Sequence, residues 1–177
     1  MSFASIWHTS PRKRAARLLV VASVLALGAC SDQGDSVAGI PRGATDGLYP
    51  QIVVSGSGES TAELNLSLLR KPAGVRLGSY QGELSYDPAV LTLERWSLPA
   101  GAEGSVNDET AGKVRFVASA VEGVGEVPLL SLRFTRRGAV NSKSFGISFE
   151  EVSGADDFAD LTPLVYAGAP VVSVTSR

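Results

Sequence analysis

From Tyr49 to the C-terminus apolar residues return at every second position, and that period admits one kind of element. A helix buries a stripe every third or fourth residue, whereas a strand turns successive side chains to opposite faces. "AELNLSLL" places Leu64, Leu66 and Leu68 on one face and Glu63, Asn65 and Ser67 on the other. "YQGELSY" aligns Tyr80, Leu84 and Tyr86 against Gln81, Glu83 and Ser85. "KVRFVASA" aligns Val114, Phe116, Ala118 and Ala120; "PLLSLRF" aligns Leu130, Leu132 and Phe134; "SFGISFE" aligns Phe145, Ile147 and Phe149. "APVVSVTS" supplies a closing strand. Turn formers separate the runs: "KPAG" from Lys71, "LPAGAEG" from Leu98, "NDETAG" from Asn107 and "RRGAVNS" from Arg136. No segment here shows a helical stripe. About nine short strands, each with one apolar face, predict an all-β fold of two antiparallel sheets packed around one core.

Within "SYQGELSYDPAVLTLERW", Asp87-Pro88 breaks the alternation. Proline fixes φ and cannot donate to a ladder, and aspartate bonds the backbone beyond it, so a corner is expected between two strands. Val90 to Trp96 begins the second strand, where Trp96 has the opposite parity from Leu91 and Leu93 and is expected outside.

The N-terminus has a different composition. "PRKRAAR" carries four positive charges, and twelve residues from Leu18 to Ala29 follow with one serine the only polar interruption. About 20 apolar residues are needed to span a bilayer, so this run is too short and fits a secretory signal that contains a cysteine. Leu27-Gly28-Ala29-Cys30 resembles the lipobox of bacterial lipoproteins. The resemblance implies cleavage between Ala29 and Cys30, and lipidation of the Cys30 thiol and amine. Three acyl chains, at about 0.8 kcal/mol per buried CH₂, would make membrane attachment nearly irreversible. Ser31 stands where an aspartate would resemble an inner-membrane retention signal, so the analogy favours the outer membrane of a Gram-negative-type envelope.

The expected organisation is a signal over residues 1–29, a lipidated cysteine and flexible tether over 30–48, and a globular domain over 49–177. "SDQGDSVAGIPRGATDGL" is rich in Gly, Ser, Asp and Pro, and about 18 such residues reach roughly 25 Å. After cleavage the chain keeps 12 Lys and Arg against 18 Asp and Glu, a formal charge of −6, and loses its only histidine, His8. An acidic surface repels phosphate backbones, so no nucleic-acid partner is expected. Without histidine, and with its cysteine lipidated, the chain cannot build a Ser-His-Asp or Cys-His site or a His-ligated zinc. Catalysis by two carboxylates stays formally open, but no catalytic residue and no cofactor are indicated.

"GSYQGELSYDPAVLTLERWSLPAG" resembles the cohesin segment in which a strand ends in Tyr-Asp-Pro and a Gly-terminated loop follows. "GKVRFVASA" resembles the cohesin strand after that loop. "GEVPLLSLRFTRRGAVNSKSFGISFEEV" and "FADLTPLVYAGAPVVSV" are similar to the later strands, so the likeness covers about residues 50–176. It implies a nine-stranded jelly-roll sandwich, shared with carbohydrate-binding modules. It also implies a non-catalytic receptor that binds dockerin modules through one sheet face and so links to polysaccharide catabolism. Outward positions Gln81, Glu83, Ser85, Arg115, Val117 and Ser119 are the candidate partner-binding residues, though any solvated sheet face has such positions. Direct carbohydrate binding is the alternative, with Trp96 as the stacking ring; a rim residue under the "LPAGAEG" loop is the plainer reading of that tryptophan. Glu150, Glu151, Asp156, Asp157 and Asp160 gather in "FEEVSGADDFAD", where calcium and a solvated acidic loop are the two readings. The spacing lacks the EF-hand order, and no metal site is assigned.

Overall fold

A computed structural model describes residues 40, 43–56, 60–71 and 73–175. Ala29, Cys30 and most of the expected tether lie outside the described residues. The domain consists of β1 (Gly47–Gly56), β2 (Thr61–Lys71), β3 (Leu77–Tyr86), β4 (Leu91–Ser97), β5 (Glu103–Asn107), β6 (Lys113–Val124), β7 (Leu130–Arg136), β8 (Phe145–Gly154) and β9 (Val171–Thr175). Two single 3-10 turns, Ser142–Ser144 and Thr162–Leu164, interrupt the connections. One sheet has the order β4-β7-β2-β1-β9 and the other β5-β6-β3-β8.

The alternation decides how these sheets pack. Leu64, Leu66 and Leu68 of β2, Leu130, Leu132 and Phe134 of β7, and Tyr80 and Leu84 of β3 are all buried. With Val114, Phe116 and Ala118 of β6 they form one continuous core between the sheets. Each fully buried Leu or Phe stabilises the fold by about 1.5–3 kcal/mol, far above what surface polar contacts provide. Aromatic rings interlock across the interior: Tyr86 meets Phe134 edge-on at 5.0 Å, and Phe116 meets Phe149 edge-on at 5.8 Å.

The Asp-Pro corner forms as its residues dictate. Asp87 Oδ1 accepts from the Ala89 amide at 2.9 Å, and β3 ends one residue before it, at Tyr86. Gly112 closes the same corner: its carbonyl accepts from the Tyr86 amide at 2.9 Å, and its φ of +85° requires glycine.

Four features depart from the expected pattern. β9 pairs with β1 in parallel, with Gln51 opposite Val171 and Ser55 opposite Thr175, so the sandwich is not purely antiparallel. β5 occupies Glu103–Asn107 and takes in the ends of both segments expected as turns; within it only Val106 is a large apolar residue, too little for a visible period. Gly47 and Leu48, expected in the tether, begin β1, and Leu48 joins the core. Finally, Glu94 is a β-bulge: Leu93 pairs with Phe134, but Arg95 pairs with Arg133 and Trp96 with Leu132. One extra residue reverses parity, so the register aligns Trp96 with inward positions, contrary to the reading from alternation. At the sheet edge it nevertheless stays 39% exposed.

Arg70 and Tyr80 carry polar groups into the interior. Arg70 is 3% exposed and donates one bond, from Nη2 to the Val124 carbonyl at 3.3 Å, while its Nε and Nη1 have no hydrogen-bond partner. Desolvation lowers its pKa, partly opposed by Glu126. Tyr80 is better served: its hydroxyl donates to the buried Leu129 carbonyl at 2.9 Å, and burial pushes the phenol up to about 12. Tyr80→Phe keeps the ring and strands that carbonyl, so chemical denaturation is expected to show a loss of about 1–2 kcal/mol. An unchanged midpoint and slope would mean that the bond contributes nothing.

Candidate functional site

The outer face of β5-β6-β3-β8 brings the six sequence-derived partner-binding positions together. Register places Ser79 opposite Ser119, Gln81 opposite Val117, Glu83 opposite Arg115 and Ser85 opposite Lys113. β5 extends these rows, setting Glu103 beside Ser119, Ser105 beside Val117 and Asn107 beside Arg115. On the other side β8 adds Ser153, Glu151 and Ser148 opposite Ser79, Gln81 and Glu83. Alternation in β3 and β6 made the central rows legible. The β5 contribution was not, because that strand was not expected.

Charge on this face is organised around one carboxylate. Glu83 accepts from Lys113 Nζ and from Arg115 Nε, each at 2.8 Å, and its side chain is only 18% exposed. The Lys113 hydrogen bond, and then that of Arg115, hold the Glu83 carboxyl below its ordinary value. In return Glu83 raises the Arg115 guanidinium. One row away Gln81 Nε2 donates to Glu150 Oε2 at 2.6 Å. Glu150 is available there because β8 bulges: Gln81 pairs with Glu151 and Gly82 with Phe149, leaving Glu150 between them. Val117, 44% exposed, is the apolar centre of this polar field. A shallow depression of about 230 Å³ opens beside it, with Gln81, Ser105, Asn107, Arg115 and Glu150 on its walls. The arrangement offers donors, acceptors and a small apolar contact.

The acidic loop does not converge. Asp157 Oδ1 caps the Ala159 amide at 3.0 Å, and Asp160 Oδ1 caps the Thr162 amide at 2.9 Å. Hydrogen bonds from the Thr162 side chain and then its backbone lower the Asp160 pKa. Glu150 is engaged by Gln81 on the sheet face. Among the described residues no three such side chains gather as a metal site. The same loop displays Phe158, 81% exposed at a φ of +55°.

The Glu83 cluster has a pH signature. Because the folded carboxyl titrates below its ordinary value, its stabilisation is complete above the ordinary carboxylate range. It is lost as pH falls through the depressed value. At pH 7 the Glu83→Gln variant is expected to melt about 1–3 °C below the parent. The gap should close as pH falls through the depressed value, below the ordinary carboxylate range; a gap unchanged in acid would contradict the charge-assisted pairing.

No family model matches this chain, and no curated protein matches it. Solved structures do. CaCohA2 of Clostridium acetobutylicum, in its complex with CaDoc0917, is 14% identical; the match covers 73% of this chain and 99% of that one, with a TM-score of 0.50. A cohesin of scaffoldin B from Acetivibrio cellulolyticus, solved with a Cel5 dockerin, is 16% identical over 73% and 94% of the two chains, TM-score 0.47. A non-cellulosomal cohesin from the archaeon Archaeoglobus fulgidus is also 16% identical, over 73% and 90%, TM-score 0.49. The chain has the nine-stranded jelly-roll sandwich fold seen in cohesin modules.

Proposed function

We propose that this protein is a non-catalytic, lipid-anchored receptor of the bacterial cell envelope. It binds a dockerin-like protein through the outer face of β5-β6-β3-β8 and so joins the handling of polysaccharides. The observation that carries this reading is the four-stranded face centred on Val117, Glu83 and Arg115. Its sheet is one-sided, and its polar groups are fixed by cross-strand bonds. Fixed groups lose little freedom on binding, which favours recognition of another surface. The CaCohA2 neighbour was solved as a complex with a second protein, and the strand motifs resemble cohesins in order and spacing.

Size limits the affinity of the flat face alone. Four strands at about 4.8 Å spacing, and seven residues at about 3.4 Å, give roughly 450 Å². A standard interface uses about 800 Å² on each partner. The partner therefore overhangs the sheet and touches its flanking loops, or it binds transiently.

Two experiments test the proposal. The first mixes the purified protein with dockerin-bearing proteins from the same cells and measures affinity by calorimetry. Val117→Asp is expected to weaken binding at least about tenfold, by burying a charge at the centre of the contact, with the melting temperature within about 2 °C of the parent. Full affinity in that variant would remove the face from the proposal. The second concerns the anchor. Cys30→Ser is expected to move the protein from the membrane pellet to the soluble fraction and to abolish acyl mass at residue 30. A variant that still sediments with membranes would exclude Cys30 as the attachment point.

A further inference from the structure

The five-stranded sheet has an outer face of its own, on the far side of the core from Val117. On its outside, β4, β7 and β2 set Arg95, Arg133 and Glu63 in one row, and Ser97, Ser131 and Asn65 in the next. These six side chains border a groove of about 460 Å³, with Trp96 at its rim.

The charges in the first row are mismatched. Arg133 stands between Arg95 and Glu63, its direct cross-strand neighbours. It pairs with neither: its Nε lies 3.3 Å from Glu94 Oε2, the carboxylate of the bulge. Glu94 also accepts from the Thr135 hydroxyl, which fixes it there. Among the described residues Glu63 and Arg95 are left without an ion-pair or hydrogen-bond partner. They are two strand spacings apart, about 9.6 Å across the sheet. Like charges directly opposite one another are destabilising, so the Arg95–Arg133 juxtaposition does not serve the fold. In the second row the Ser131 hydroxyl donates to Asn65 Oδ1 at 2.7 Å, which leaves the Asn65 amide NH₂ as a fixed donor.

We propose that this groove binds a saccharide. A saccharide offers vicinal hydroxyls that both donate and accept, so one molecule lying across the two rows can meet a free carboxylate, a free guanidinium and an amide. Hydrogen bonds to charged groups are the strong ones, and planar side chains match pairs of adjacent hydroxyls. A free amino acid would satisfy only the two charges and would leave Asn65 and Ser97 unused.

The test uses the full chain in calorimetry and affinity electrophoresis with cello-, xylo-, manno- and chito-hexaose. Purified lipopolysaccharide forms a separate arm for sugars of the cell's own surface. Binding to a hexaose or to lipopolysaccharide is expected, with Kd of about 0.1–1 mM. Glu63→Gln with Asn65→Ala should weaken it about tenfold, on a central strand and without touching the sheet edge. The exposed change Val121→Ser, on β6, should leave it unaltered. Three results would overturn the proposal: no binding in either arm at about 10 mM, binding indifferent to the Glu63/Asn65 double variant, or preferential binding of glutamate or lysine.

Discussion

A sheet with one apolar face has no stable existence alone in water, and this molecule has two of them. Leu64, Leu66 and Leu68 from one sheet, and Tyr80, Leu84 and Phe116 from the other, share a single core. Burial of such side chains outweighs anything the outer faces can contribute, since exposed ion pairs are worth about 0–1 kcal/mol. The consequence is a division of labour by parity. Odd and even positions of the same strand answer to different demands, one to packing and one to solvent or a partner. Glu83 and Leu84 are neighbours in sequence, yet one organises a charged surface and the other is wholly buried.

Parity was legible wherever the period held. It placed the inward residues of β2, β3, β6 and β7, and it gathered Gln81, Val117, Glu83 and Arg115 on one face. The Asp87 corner was legible because proline and aspartate act within a few residues of themselves. What escaped was non-local or too short to show a period. The parallel β1–β9 pairing joins segments separated by most of the chain, and no local preference encodes it. Leu48 looked like linker because a single apolar residue beside Gly47 has no alternation to join.

A bulge accounts for the misplaced Trp96, and a second one shapes β8. At Glu94 and again at Glu150 one extra residue reverses the parity of everything beyond it. In β8 the reversal lets Phe145 and Ile147, odd-numbered, and Val152, even-numbered, all face the core. In β4 it realigns Trp96 with Leu132. Nothing in "LTLERWS" or "SFEEVSG" announces the extra residue. Both inserted residues are glutamates, and both lend their carboxylates to a surface network: Glu94 to Arg133 and Thr135, Glu150 to Gln81. Bulges re-aim side chains beside functional surfaces, and here each one feeds the face proposed to bind a ligand.

The two outer faces lie on opposite sides of one packed core, about 10 Å of side chains between the sheets. A partner seated over Val117 therefore does not collide with a saccharide lying against Asn65. Coupling between distant sites requires an element with two arrangements that both ligands bias. The material between these faces is packed Leu, Phe and Tyr with interlocked rings, and packed cores are stiff. The two proposed binding events are then expected to add in free energy, as contributions from separate sites with no shared contacts do. A measured cooperativity between them would point away from the core and toward its periphery, such as the 155–161 loop that follows β8.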